Sequence, residues 1–158
     1  MQAKTTNSPV PRAVVEAFYR ALANRDIDTL AFYLDDQVVW TISGPVDILP
    51  FCGERAGKDG VMKLLMQDSP AFLSDRRFVP HMTLVDGDCA AVLGRLTASK
   101  RDDGHAISYR IAHFIKFREE KVVEYTSIID SFDAVEQMLG YNLDAHDGYR
   151  VDGDIVTV

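Results

Sequence analysis

One short segment, placed directly after two helical patterns, constrains the fold of this chain more than any other. It contains an acidic pair, a strand-forming run with a tryptophan and a Gly-Pro break, in the order Asp35-Asp36-Gln37-Val38-Val39-Trp40-Thr41-Ile42-Ser43-Gly44-Pro45. The first helical pattern ends near Asn24, and Asp26 is a plausible N-cap for the second. A helical pair that leads straight into such a strand predicts an α+β domain, in which helices cover a curved sheet and leave a cavity.

Composition narrows the class of protein. The chain has 158 residues, of which 47% are apolar, enough to fill one substantial core. Its net charge of −7 argues against nucleic acid as a partner, because a phosphate backbone requires clustered Lys and Arg. The one basic doublet, Arg76-Arg77, is predicted to lie in a solvated loop.

The expected location is the cytoplasm. No apolar run approaches the ~20 residues that a membrane span needs, and no signal-peptide pattern follows Met1. Cys52 and Cys89 form no CxxC motif, so they are interpreted as reduced, buried thiols.

The second half of the chain is predicted to be mainly strands. These strands are expected at about 77–86, 89–100, 106–117 and 121–130, followed by a short helix at 132–139. Asp-Gly pairs between them favour hairpins, so the sheet should be mainly antiparallel. Between the two halves, a third helix is expected at about 58–67. The irregular stretch 44–57 before it is unusually apolar, and Leu49 and Phe51 could either plug the core or serve a ligand site.

His113 is the strongest candidate for chemistry. Alternation along the strand places it on the same face as Tyr109, Ile111 and Ile115, and this more apolar face should point toward the helices. An imidazole can exchange protons near neutral pH, so His113 is a candidate general acid or base. The alternative is a core histidine held by one hydrogen bond.

Asp130 joins His113 only in one of two possible registers. Counting back from the hairpin at 117–122 pairs His113 with Thr126 and Tyr109 with Asp130, so that a carboxylate and a hydroxyl share the cavity with the imidazole. A slip of one residue would instead turn Tyr125, Ser127 and Ile129 toward the cavity. Asp130 would then interact with the start of the last helix.

The order of these patterns resembles the SnoaL-like branch of the superfamily that contains nuclear transport factor two and ketosteroid isomerase. The resemblance covers about residues 11–140, with 1–10 as a flexible N-terminus and 141–158 as a C-terminal extension. It depends on the Asn24-Arg25-Asp26 break, the strand entry at 34–40, the 50–53 segment leading to Gly57-Lys58-Asp59-Gly60-Val61, and the 117–123 hairpin. It implies a cone-shaped α+β barrel, with a curved, mainly antiparallel sheet around the N-terminal helices, an internal pocket and a homodimer formed through the outer face.

The isomerase's catalytic residues are not all matched. Its mechanism requires an Asp base with a Tyr and a protonated Asp as hydrogen-bond donors. The corresponding positions here are Thr41, Phe18 and His113, although Tyr19 is adjacent to Phe18. Steroid isomerisation by that mechanism is therefore not expected.

The leading hypothesis is a protein that binds a small apolar or cyclic molecule and acts as a cofactor-free isomerase, cyclase or dehydratase. In this hypothesis His113 and Asp130 are catalytic, and the substrate-binding residues are Phe18, Trp40, Phe51 and Tyr109. No metal is expected, because the histidines form neither HxH nor HExxH. A non-catalytic carrier and, third, a protein-interaction module are the alternatives.

Overall fold

The computed structural model describes residues 8–143. The helices are α1 (Arg12–Asn24), α2 (Ile27–Tyr33), α3 (Gly57–Lys63), α4 (Ser69–Phe72) and α5 (Ser131–Leu139), with a π-helical turn (Leu64–Asp68) between α3 and α4. The strands are β1 (Leu34–Ser43), β2 (Gly53–Ala56), β3 (Leu73–Asp86), β4 (Cys89–Lys100), β5 (Ala106–Arg118) and β6 (Lys121–Ile129). Most of the predicted N-terminal segment and nearly all of the C-terminal extension lie outside the described residues.

The strands form one curved, unclosed sheet in the order β2-β1-β6-β5-β4-β3. All neighbouring pairs are antiparallel except β1 and β6, which are parallel. The long strands β3 to β6 form a meander because each connects to the next through a short turn. The α+β fold with a mainly antiparallel sheet, predicted from the alternation and the turn residues, is confirmed.

The helices supply the other side of the core. Asp26 caps α2, as predicted, through its side chain, which accepts a hydrogen bond from the backbone N–H of Thr29. Phe18 of α1 is fully buried against the rings of Trp40 on β1 and Tyr125 on β6. This contact places α1 against the inner face of the sheet.

The stretch between β1 and α3 closes part of this core. Leu49 and Phe51 are buried in the hydrophobic core. Of the two roles that the sequence left open, a core plug or a ligand site, their burial agrees with the core plug. The same stretch contains β2, a short strand that the sequence analysis did not predict because its four residues show no apolar alternation.

The predicted register of the β5–β6 hairpin is correct at the turn and wrong beyond it. Phe117 pairs with Val122 as expected, but an irregularity between Lys116 and Phe117 then shifts β6 by one residue. His113 is therefore opposite Ser127 rather than Thr126. Because side chains alternate along a strand, the shift turns Tyr125, Ser127 and Ile129 inward, which is the alternative that the sequence left open.

Two further expectations about individual residues need correction. The Arg76-Arg77 doublet lies within β3 rather than in a loop, because this strand begins at Leu73, four residues earlier than predicted. Cys52 is buried, and burial raises the pKa of its thiol to about 11, but Cys89 is exposed. Among residues 8–143, no helix combines the length and apolar character needed to cross a membrane.

Candidate functional site

A cavity of about 380 Å³ lies between the helices and the inner face of the sheet. One side of the cavity is formed by α1, the residues just after it, α2, the π-helical turn and α4. The other side is formed by β1, β3, β4 and β5. The residues that line it are Leu22, Arg25, Ile27, Leu30, Trp40, Leu65, Met66, Pro70, Arg76, Phe78, Leu96 and His113. The wall is therefore largely apolar, with one imidazole and two guanidinium groups.

His113 is held on this wall by aromatic neighbours and one hydrogen bond. Nδ1 lies 2.8 Å from the hydroxyl oxygen of Tyr19. The imidazole lies 4.7 Å from the ring of Phe78 and 5.0 Å from the ring of Tyr125, measured between centroids. Burial lowers the pKa of His113 from 6.5 to about 3, because the charged form would lose its hydration. At neutral pH the imidazole is therefore uncharged and can accept a proton, though only as a weak base.

The hydrogen bond continues from Tyr19 to Tyr125. Burial raises the pKa of both phenols, and a hydrogen bond links their hydroxyl groups. Tyr125 also stacks on Trp40, with ring centroids 3.5 Å apart and planes inclined by 8°. The imidazole thus belongs to a chain of neutral groups that fixes its orientation.

Arg76 is the half-buried cation of the site. Its guanidinium donates to the carbonyl oxygen of Leu65 at 3.2 Å and to the hydroxyl oxygen of Ser69. Burial, followed by repulsion from Arg25, lowers its pKa. Both bonds connect β3 to the segment across the cavity and hold the side chain in place.

The structure brings together only part of the predicted set. Trp40 and His113 both line the cavity. Phe18, Phe51 and Tyr109 are buried in the packed core and are not among the lining residues.

Asp130 is directed elsewhere. Its carboxylate pairs with Arg110, whose side chain lies on the outer face of β5, at 3.0 Å. The residue occupies the N-cap position of α5. The geometry therefore separates Asp130 from the cavity that contains His113.

Tyr19 and Arg76 are site residues that were not predicted from the sequence, although a sequence pattern points to each of them. Tyr19 is four residues after Val15 and three before Leu22, so the helical period places all three on one face of α1. Arg76 and Arg77 are adjacent in a strand, and alternation requires one of them to face inward once the strand is extended to Leu73.

Within residues 8–143, no group of three or more His, Cys, Asp or Glu side chains is arranged to hold a metal ion.

Comparisons with known proteins agree with this architecture. The model of the SnoaL-like domain family matches residues 15–125. A structure from Rhodopseudomonas palustris, provisionally named an isomerase, shares 32% identity, covering 80% of this chain and 93% of its own, with a TM-score of 0.69. An NTF2-like protein from Burkholderia thailandensis shares 19% identity, covering 82% and 97%, with a TM-score of 0.73. TerC, co-crystallised with polyporic acid, shares 20% identity, covering 81% and 97%, with a TM-score of 0.72. No curated protein matches the chain.

The match over residues 15–125 covers more than half of the sequence, and the R. palustris structure is similar over most of both chains. The two less similar structures show the same cone-shaped fold. The resemblance inferred from the helical pair, the strand entry and the hairpin is confirmed. The chain belongs to the SnoaL-like domain family.

Proposed function

We propose that this protein binds a small, largely apolar molecule in the His113 cavity and catalyses a cofactor-free proton transfer on it. The observation that carries the proposal is the neutral imidazole on an apolar wall, hydrogen bonded to Tyr19. Such a group can remove a proton from carbon next to a carbonyl, the first step of isomerisation and of several cyclisations and dehydrations.

The low proton affinity of His113 limits the substrates that it can deprotonate. With a pKa near 3, the imidazole needs a carbon acid whose anion is stabilised by conjugation or by hydrogen bonds. Ketones whose α-carbon is benzylic or allylic, such as 2-tetralone, meet this requirement and match the apolar wall. Asp130, which pairs with Arg110, has no part in the proposed step.

A carrier without catalysis is the second candidate. Burial makes His113 a weak base, and its hydrogen bond to Tyr19 would also suit a purely structural residue. A carrier would hold the same molecules without changing them.

Hydrogen–deuterium exchange distinguishes the two candidates. The protein is incubated with 2-tetralone in D2O, and loss of the α-proton signals is followed by NMR, with binding measured separately by thermal shift. We expect exchange to slow by about 10²-fold or more in His113→Gln, the range typical of general acid–base catalysis. His81→Gln, which replaces an exposed histidine, is the matched control. Binding with no exchange above the buffer rate would favour the carrier.

The protein is also proposed to be a homodimer. The support is an apolar outer sheet face, where Met82, Leu84, Leu93, Phe114 and Ile128 are each between 41% and 56% exposed. Location in the cytoplasm and the absence of a nucleic-acid partner remain predictions from composition.

A further inference from the structure

The charge of the cavity is opposite to the charge of the chain. The protein has a net charge of −7, yet the charged residues on the cavity wall are Arg25 and Arg76, with no Asp or Glu among the lining residues. In the described part of the chain, neither arginine forms an ion pair with a carboxylate, although Arg55, Arg110 and Arg118 do. A half-buried guanidinium without a counter-charge is costly unless a bound group supplies one.

A local distortion of β3 accompanies Arg76. The register against β4 shifts between Ser74 and Arg77, so β3 contains one extra residue at this point. Asp75, within the distortion, has a positive φ of 49°, a conformation that non-glycine residues rarely adopt. Bulges of this kind occur often beside active sites, where they redirect a side chain. Here the bulge coincides with the one residue of the Arg76-Arg77 pair that lines the cavity.

The wall also contains donor nitrogens without acceptors. Nε of Arg76 and Nε1 of Trp40 are both buried and lack a hydrogen-bond partner, and both residues line the cavity. The other two nitrogens of the Arg76 guanidinium bond to Ser69 and Leu65, which anchors the group. An acceptor that carries negative charge would complement both the unpaired charge and the unused donors.

We propose that the ligand of this cavity is a small apolar acid, whose carboxylate binds beside Arg76 and Arg25 while its ring or chain contacts the apolar wall. The inference rests on the proposed function, because it concerns the same cavity, and it adds the substrate class. Leu22, Leu65 and Phe78 supply apolar surface for the body of the molecule. The carboxylate end and the His113 end are then different parts of one site, so the charge orients the molecule relative to the imidazole.

The test compares carboxylates with their neutral amides. Isothermal titration calorimetry is performed with benzoate, cinnamate and 2-naphthoate, and with the three corresponding amides. We expect at least one acid to bind about tenfold or more tightly than its amide, because a hydrogen bond to a charged group is stronger than one to a neutral group. This comparison uses the wild type alone, so it stands even if a variant fails to fold.

Three variants locate the effect. Arg76→Met should remove most of the preference for the acid over its amide, and Arg25→Met should reduce the same preference. Arg77→Met, a change of the exposed neighbour, should alter neither affinity. Equal affinity for acid and amide in the wild type would overturn the inference and leave the apolar cavity of the proposed function intact. A preference that survives both Arg76→Met and Arg25→Met would also overturn it. If none of the three acids binds, the inference is overturned, whereas the proposed function is tested separately by the binding and α-proton exchange of 2-tetralone.

Discussion

At the scale of single residues, His113 combines a structural and a chemical consequence of burial. The same desolvation that keeps the imidazole neutral in the folded protein is absent in the unfolded chain, where the pKa is close to 6.5. Between that value and about 3, the unfolded state binds a proton that the folded state does not. Acidification therefore favours unfolding through this one residue.

The prediction is a pH-dependent loss of stability that His113→Gln removes. The contribution of the neutral His113 to the free energy of unfolding is fully present above about pH 6.5. It is lost as the pH falls toward 3, at about 1.4 kcal/mol per pH unit. The free energy of unfolding of the wild type and of His113→Gln is measured in urea from pH 7 to pH 4. The difference between their slopes against pH gives the effect of His113, because the titration of carboxylates contributes equally to both proteins. Parallel slopes would contradict the burial of a neutral imidazole, and His81→Gln should retain the wild-type slope.

Two adjacent aromatic residues of α1 show how a residue's role depends on its neighbours. Phe18 and Tyr19 are adjacent on α1, but Phe18 packs in the core and Tyr19 reaches the imidazole. The isomerase-like position at Phe18 thus has no donor, while the next residue provides one. Helical period alone assigns both to the inner half of α1, and the distance to His113 distinguishes them.

At the scale of secondary-structure elements, β3 and β4 shape the cavity through the absence of a side chain. A Cβ atom added to Gly94 of β4 would lie 2.4 Å from the carbonyl oxygen of Val79 and 2.6 Å from the ring of Phe78. Phe78 in turn packs against His113. The glycine therefore allows an aromatic wall residue to cross the strand.

We expect Gly94→Ala to destabilise the protein by about 1–3 kcal/mol, the usual cost of overpacking. Gly60→Ala in α3 provides the contrast. Its added Cβ would lie 3.8 Å from the side chain of Arg55, an ordinary contact, and Ala favours a helix more than Gly does. That variant should be about 0.5–1 kcal/mol more stable than the wild type. Denaturant midpoints of the two variants test the pair, and an unchanged midpoint for Gly94→Ala would show that the Val79 carbonyl and Phe78 can both shift without cost.

At the scale of the whole molecule, the sheet has one face packed against helices and one that is open. The open face contains several large apolar side chains, and exposed apolar area of this kind commonly marks an interaction surface. A second copy of the chain could cover it, in line with the homodimer predicted from the family resemblance.

Sedimentation velocity tests the assembly. We expect the wild type to sediment as a dimer at micromolar concentration, and Phe114→Glu, at the centre of the open face, to shift it to a monomer. Phe32→Glu is the control, because Phe32 is 64% exposed on α2 and its ring contacts Lys121 at the start of β6 rather than the open face. A wild type that remains monomeric at every concentration would refute the dimer.

Local sequence patterns were enough to predict the α+β class, the order of the main helices and strands, the inward orientation of His113 and the family. These features depend on periodicity, turn residues and caps, which are local properties of the chain. The same local signals were insufficient for Asp130, because the pairing of β6 changes within the hairpin and no residue pattern marks that change.

Long-range packing selects which of the inward-facing residues reach the cavity. Tyr109 and His113 lie on the same face of β5, but helix packing buries Tyr109 in the core and leaves His113 on the wall. Arg76 reaches that wall from a bulge, where the strand departs from regular pairing. Alternation fixes the face of a sheet on which a side chain lies, whereas its neighbours across that face are set by long-range packing. The chemistry of this site therefore depends on contacts between parts of the chain that are distant in sequence.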